Sequence, residues 1–289
     1  MTDEAGETPG EVAPSGPMIS VCVPAHNGGR FIRETLDSVL GQRDADFEVV
    51  VIDNASTDQT PAILEAIDDP RLRVVRTPRL LPMGENWRFA MTQLRGALVK
   101  VVCADDLLRP GALAAQAKIL TEDPSIALVA SRRDFINADG QVRAADRGLR
   151  GLTGPCEART VLRRQVRCGI NQIGEPANVM FRMADYARTT GWNAHRVYPM
   201  DAQLWVELLR LGRLYAQPQT YAAFRLSGSN LSASHSAEQY AQTDELLGEV
   251  AREWGIPRWQ GALGRLARRA VWAAWRIRIK LLARSGAAR

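Results

Sequence analysis

The chain alternates short apolar runs with amphipathic segments, and three of the apolar runs stop on polar residues. Ile19-Ser20-Val21-Cys22-Val23 runs into Pro24-Ala25-His26-Asn27-Gly28-Gly29. Residues 47–52 (FEVVVI) stop at Asp53, and Val99-Lys100-Val101-Val102-Cys103-Ala104 stops at Asp105-Asp106. Between the first two, Phe31, Ile32, Thr35, Leu36, Val39 and Leu40 fall on one helical face. Strands alternating with helices build a mostly parallel sheet flanked by helices, an α/β fold. In such sheets ligands bind beyond the carboxyl ends of the strands. The three polar strand ends therefore predict one cleft along a single sheet edge. Paired carboxylates there suit a hard divalent cation, which takes oxygen ligands.

Further along, the pattern predicts helices over 61–67, 84–96, 111–120 and 202–211. Strands are expected at 72–75, 126–130, 177–182, 214–216 and 221–225. Ser56 or Thr57 is placed to cap the helix at 61. Residues 135–175 are polar and Gly-rich and give no clear periodicity.

Composition narrows the class. The 289 residues are 46% hydrophobic and 24% charged, enough to bury a full core. The four cysteines, Cys22, Cys103, Cys156 and Cys168, show no CxxC spacing. They argue against a disulfide framework or a zinc site and fit a reducing, cytoplasmic setting. No apolar run reaches the length of a transmembrane helix. Residues 1–17 are rich in Gly, Pro, Glu and Thr, without a basic start or apolar stretch. They read as a disordered tail rather than a signal peptide.

The motifs together are specific. Val-Cys-Val-Pro-Ala-His-Asn (21–27), Val-Ile-Asp-Asn-Ala-Ser-Thr-Asp (51–58), Asn86-Trp87 and Ala-Asp-Asp-Leu-Leu-Arg-Pro-Gly (104–111) follow one another in order. In order and spacing they resemble the family 2 glycosyltransferases with the GT-A fold, from about residue 18 to 235. The resemblance implies an inverting enzyme that moves a sugar from a nucleotide diphosphate sugar (UDP-, GDP- or dTDP-) to a hydroxyl acceptor. A glycan, a lipid-linked saccharide or a metabolite is the implied acceptor, in cell-envelope or polysaccharide biosynthesis.

The same resemblance implies site roles. Pro24, Ala25, His26 and Asn27 approach the nucleotide base, and Asp53 accepts from a base N–H or a ribose hydroxyl. Asn86 and Asp105 face the donor, and Arg225 neutralises its phosphate. Asp106, with Asp105, holds Mn²⁺ or Mg²⁺. Asp201, in Tyr198-Pro199-Met200-Asp201, matches the catalytic base, although an N-cap for the helix at 202 is also open to it. Glu175, in Ile173-Gly174-Glu175-Pro176, and Trp205 are assigned to the acceptor.

Two positions depart from the family pattern. Its Arg-x-His reads Arg225-Leu226-Ser227 here, with His235 eight residues further on. Its Asn-x-Gly before Asn86-Trp87 is replaced by Leu80-Leu81-Pro82. These losses leave a non-catalytic member, binding nucleotide sugars or serving as a scaffold, as the alternative reading.

Residues 236–289 read as a basic helical extension. From Arg252 to Arg289 there are ten Arg or Lys residues and one acid, Glu253. On a helical wheel Arg265, Arg268, Arg269, Arg276 and Lys280 share one side, and Leu263, Leu266, Ala270, Ala274, Ile277 and Leu281 the other. Trp272 and Trp275 lie on or beside the basic side. Such a helix either packs on the catalytic domain or lies on a membrane, here through 259–284 on the inner face. The net charge of +5 is concentrated in this segment and no recognition motif accompanies it, which argues against nucleic acid.

Overall fold

Parallel pairing begins at the N-terminus, where β1 (Ile19–Ala25) lies between β2 (Phe47–Asp53) and β4 (Leu98–Val101). The structure is a computed structural model describing residues 18–193, 195–226 and 237–285, with side chains to Val271. The expected tail, Ser227, His235, Trp272, Ala274, Trp275, Arg276, Ile277, Lys280 and Leu281 lie outside the described residues or side chains.

Among the described residues, ten strands form one mixed sheet, with a path that starts at β3 (Leu72–Arg76) and continues through β2, β1 and β4. It then passes to β9 (Val179–Arg182), β6 (Ile126–Ile136), β10 (Arg213–Arg225) and β5 (Leu107–Leu108). The first four are mutually parallel, and β9 runs antiparallel between β4 and β6. Two short strands, β7 (Val142–Arg147) and β8 (Gly154–Cys156), join β6 and β10 at the side.

The period of two in β1 and β2 feeds two cores. Val21, Val23, Val49 and Val51 meet Ile32, Leu36 and Val39 of α1 (Ile32–Leu40) on one face. Burying each such side chain contributes about 1.5–3 kcal/mol. Cys22, Val50 and Ile52 join the other core, with Trp87 of α3 (Met83–Thr92) and Trp205 of α7 (Met200–Leu209). Burial pushes the Cys22 thiol up to about 12, consistent with a small hydrophobe.

Several expected elements are redrawn. The strands expected at 214–216 and 221–225 are one strand, β10, carried past Pro218 by register shifts against β6. The segment 135–175 holds β7, β8 and a helix, α5 (Ala158–Cys168). Asp58, rather than Ser56 or Thr57, accepts the Thr60 N–H at the start of α2 (Thr60–Glu65). After β10 come α8 (Ala237–Glu253) and α9 (Arg258–Ser285), which pack on α5.

Candidate active site

Parallel β1, β2 and β4 deliver their carboxyl ends to the same sheet edge, with Ala25 opposite Asp53. Asn27, at φ 52°, turns the chain there, and its N–H donates to Ser56 Oγ at 2.9 Å. The Thr57 N–H donates to Asn27 Oδ1 at 2.8 Å. His26 is exposed, and its Nδ1–H donates to the Asn54 carbonyl at 2.8 Å. Asp53 is buried: Oδ1 accepts the Ser56 N–H at 3.0 Å, and Oδ2 lies 3.3 Å from Arg76. Gly28 sits against the carboxylate turn, since a Cβ there would stand 3.2 Å from Ala104 Cβ. These loops thus adjoin the Asp105-Asp106 turn.

The turn is bound from behind. Arg225 N–H donates to Asp106 Oδ1 at 3.0 Å and its Nε to the Asp105 carbonyl at 2.8 Å. The other Asp106 oxygen, Oδ2, is buried with no hydrogen-bond partner among the described residues. Burial and the charge of Asp105 push the Asp106 carboxyl well above the usual range, and burial also raises Asp105. An orphaned, buried carboxylate oxygen is costly unless a cation or proton meets it.

Among the described residues no three His, Cys, Asp or Glu side chains form a metal cage. A hard cation that takes most of its ligands from a diphosphate needs only one or two carboxylates. Asp106 Oδ2 and Asp105 fit that requirement.

A cleft of about 400 Å³ opens beside the turn, and Asp105, Glu175 and Asp201 all line it. Asp201 lies in the first turn of α7, where its Oδ1 accepts the Ala202 N–H at 2.6 Å. Asn171 Nδ2 donates to its Oδ2 at 3.3 Å. Burial, with the charge of Glu175, pushes the Asp201 carboxyl up to about 7, against the pull of the Ala202 N–H and Arg133. Glu175 is ion-paired with Arg133 of β6, whose Nη2 donates to Oε1 at 3.0 Å and whose Nε meets Oε2.

The loop between them is tightly shaped. Gly174 has φ +113°, and a Cβ there would meet Asn178 Oδ1 at 2.7 Å, so only glycine suits the position. Asn178 Nδ2 donates to the Ile173 carbonyl at 2.9 Å, and Asn171 Oδ1 accepts the Gly174 N–H at 3.0 Å. Asn171 and Arg133 were missed in the sequence, because the contacts that bring them to Asp201 and Glu175 span 30 and 42 positions of the chain.

Two assignments are corrected. Arg225 is wholly buried: its Nη1 donates to the Asn137 and Ala138 carbonyls at 3.2 and 3.0 Å, and its Nη2 to Glu34 at 2.6 Å. In this structure the guanidinium faces these partners and holds the carboxylate turn, instead of pointing into the cleft. Trp205 has no exposed surface: its Nε1–H donates to the Gly174 carbonyl at 2.9 Å, so it supports the loop rather than touching an acceptor. Asn86 is also buried, and its Oδ1 has no hydrogen-bond partner among the described residues. Pro24–Asn27 and Asp53 lie outside the cleft that joins Asp105, Glu175 and Asp201.

Residues 20–188 match the sequence model of the family described as Glycosyl transferase family 2. The chain belongs to glycosyl transferase family 2. A relative in Mycobacterium tuberculosis, uncharacterized protein MT1568, is 33% identical over 208 residues, 68% of this chain and 64% of that protein. The family 2 chain thus spans somewhat under two thirds of that relative. Its fold resembles S. aureus TarS 1-349, solved with UDP-GlcNAc, with a TM-score of 0.63 and 20% identity over 80% of this chain and 66% of that one. It also resembles the mannosyltransferase PcManGT from Pyrobaculum calidifontis, solved with GDP-Man and Mn²⁺. There the TM-score is 0.59, at 22% identity, covering 98% of this chain and 84% of that one. The sheet and flanking helices are the GT-A arrangement implied by the motifs.

The raised Asp201 carboxyl gives this family 2 member a stability signature. Asp201 ionises near its ordinary value of 3.8 in the unfolded chain and near 7 when folded. Between those values the folded state holds more protons, so stability falls as pH rises through that window. The ceiling is about 4 kcal/mol, lowered by water reaching the cleft. Melting of the metal-free protein is expected to move to lower temperature from pH 5 to pH 8. Asp201→Asn is expected to shrink that shift; an unchanged shift would remove Asp201 as its source.

Proposed function

We propose that this chain transfers a sugar from a nucleotide diphosphate sugar to an acceptor hydroxyl, with inversion at the anomeric carbon. The observation that carries this reading is the cleft in which Asp105, Glu175 and Asp201 converge from three separate segments. Asp201, in its carboxylate form, removes the acceptor hydroxyl proton as that oxygen bonds to the anomeric carbon. The anomeric C–O bond to the diphosphate breaks, and its electron pair leaves with the nucleoside diphosphate. Attack from the face opposite the leaving group inverts the centre, and one base suffices for one displacement. Glu175, fixed by Arg133, accepts a hydrogen bond from the acceptor. Exposed His26 and buried Asp53 meet the nucleoside at the neighbouring strand ends.

Asp105 and Asp106 would hold Mn²⁺ or Mg²⁺, which supplies neutralisation of the charge gathering on the diphosphate. The complexes of TarS with UDP-GlcNAc and of PcManGT with GDP-Man and Mn²⁺ support this choice of donor and ion. Calorimetric titration with UDP, GDP and dTDP, with Mn²⁺ and with EDTA, tests it. One nucleotide is expected to bind at least about tenfold more weakly in EDTA, and the Mn²⁺ gain should vanish in Asp106→Ala. Metal-dependent binding without turnover on any acceptor would favour the non-catalytic alternative. No metal-dependent binding at all would overturn the donor site.

A further inference from the structure

The N-terminal half of α9 has three sides, not two. Gln260, Gly264 and Arg268 are buried against α5 and α8. Arg268, expected on the basic side, donates to the Gly169 carbonyl, pairs with Asp244 and lies over the Tyr240 ring at 4.5 Å. It is therefore an internal anchor. The apolar side is open: Trp259 is 58% and Leu266 61% exposed, and Leu263, Ala270 and Val271 are exposed too. At 100° per residue, Trp259, Leu263, Leu266 and Ala270 form one stripe. Arg258, Arg265 and Arg269 border it on the side away from the domain and are exposed.

Next to this stripe stands α5, whose outer face carries Arg159, Arg163, Arg164 and Arg167, all exposed. Arg163 Nε donates to Gln260 Oε1 at 3.0 Å, which ties this face to α9 beside Trp259. Neither Ala158–Cys168 nor Arg258–Ser285 contains an acid. No described helix is long and apolar enough to cross a membrane.

We propose that α5 and α9 form a docking face for an anionic lipid bilayer, with the Trp259 stripe entering the interface and the arginines meeting headgroup phosphates. An apolar stripe bordered by cations is the pattern that binds in a membrane interface, and each basic residue adds to attraction for acidic lipid. A nucleic acid would use the arginines and leave the stripe in water, so the lipid is favoured. Because α9 also contributes Arg268 to the wall of the cleft, docking sets the cleft's distance from the bilayer. The proposal does not depend on the reaction performed there.

Co-sedimentation of the full chain with two kinds of vesicle tests it: phosphatidylcholine alone, and a mixture about one-third phosphatidylglycerol. Binding is expected to the mixture at low salt, weakly to phosphatidylcholine, and less at about 0.5 M salt. The triple variant Trp259→Ser, Leu263→Gln, Leu266→Gln is expected to bind the mixture at least about tenfold more weakly. Arg159→Gln with Arg167→Gln should weaken it as well. These side chains are on the surface, so unchanged melting curves will show that the variants fold. No binding to the mixture would overturn the proposal. Binding that the triple variant retains, matched by equal binding to duplex DNA, would also overturn it and mark a general polyanion surface.

Discussion

Asp201→Asn is expected to lower kcat by about 10²- to 10⁴-fold, the range that general-base catalysis supplies. Nucleotide affinity should stay unchanged, because Asp201 lies on α7 and the nucleoside loops lie at the ends of β1 and β2. The fold should survive. Asparagine keeps an oxygen for the Ala202 N–H at 2.6 Å and sacrifices only the longer 3.3 Å contact from Asn171. The wild-type pH profile of kcat/KM carries a second signature. With its carboxyl pushed up to about 7, Asp201 is mostly protonated below that pH and cannot accept a proton, so activity should climb through neutrality. The charge of Glu175 contributes to that elevation, so Glu175→Gln should move the acid limb to lower pH, while Arg133, facing it from β6, opposes the shift. Near-normal turnover in Asp201→Asn, with an unaltered profile, would remove it as the base.

The sequence made the first half of the sheet legible because its information is local. In β1 and β2 the alternation assigns residues to two faces within a single strand, and the polar strand ends need no distant partner to be noticed. The Asp105-Asp106 turn, Asp53 and Asp201 all stand at strand ends or helix starts, where a one-dimensional pattern can find them. What failed is long-range. Trp205 lies on α7, a helix buried on nearly every side, so its apolar period could not say which side faced the cleft. Arg133 and Glu175 are 42 positions apart, and nothing near either predicts the pair. Helix α5 hid because its four arginines equal in number its four buried positions, Val161, Leu162, Gln165 and Val166, and make the segment read as polar. On α9, among the described side chains, Leu263, Leu266 and Ala270 lie apart from Arg265 and Arg269, as the wheel placed them. It could not foresee that glycine and Arg268 would form the docked side, an outcome set by Gly264 fitting closely against the Val166 carbonyl of α5.

Arg225 is where family pattern and geometry part most sharply, and they predict different variants. Geometry makes it the keystone of the carboxylate turn, with its guanidinium serving the Asp105, Asn137 and Ala138 carbonyls, Glu34 and the face of Phe31 at 4.5 Å. Arg225→Met would strand those carbonyls in a buried site and leave Glu34 without its partner. Stranding the three carbonyls costs about 3–5 kcal/mol in all, at roughly 1–3 kcal/mol each, while Glu34 is half exposed and adds little because water replaces its partner. In a chain of this size that lowers the melting temperature by about 10 °C. Arg225→Lys keeps the charge but cannot serve all four acceptors at once, so an intermediate loss is expected. The backbone N–H that donates to Asp106 persists in either variant, and metal-dependent nucleotide binding should therefore weaken only as far as the turn loosens. A phosphate contact predicts the reverse: an unchanged melting temperature, with donor KM raised at least about tenfold. Thermal melts and donor saturation curves of the two variants separate the cases, because a wholly buried guanidinium cannot leave the turn for a phosphate without the loss appearing in stability.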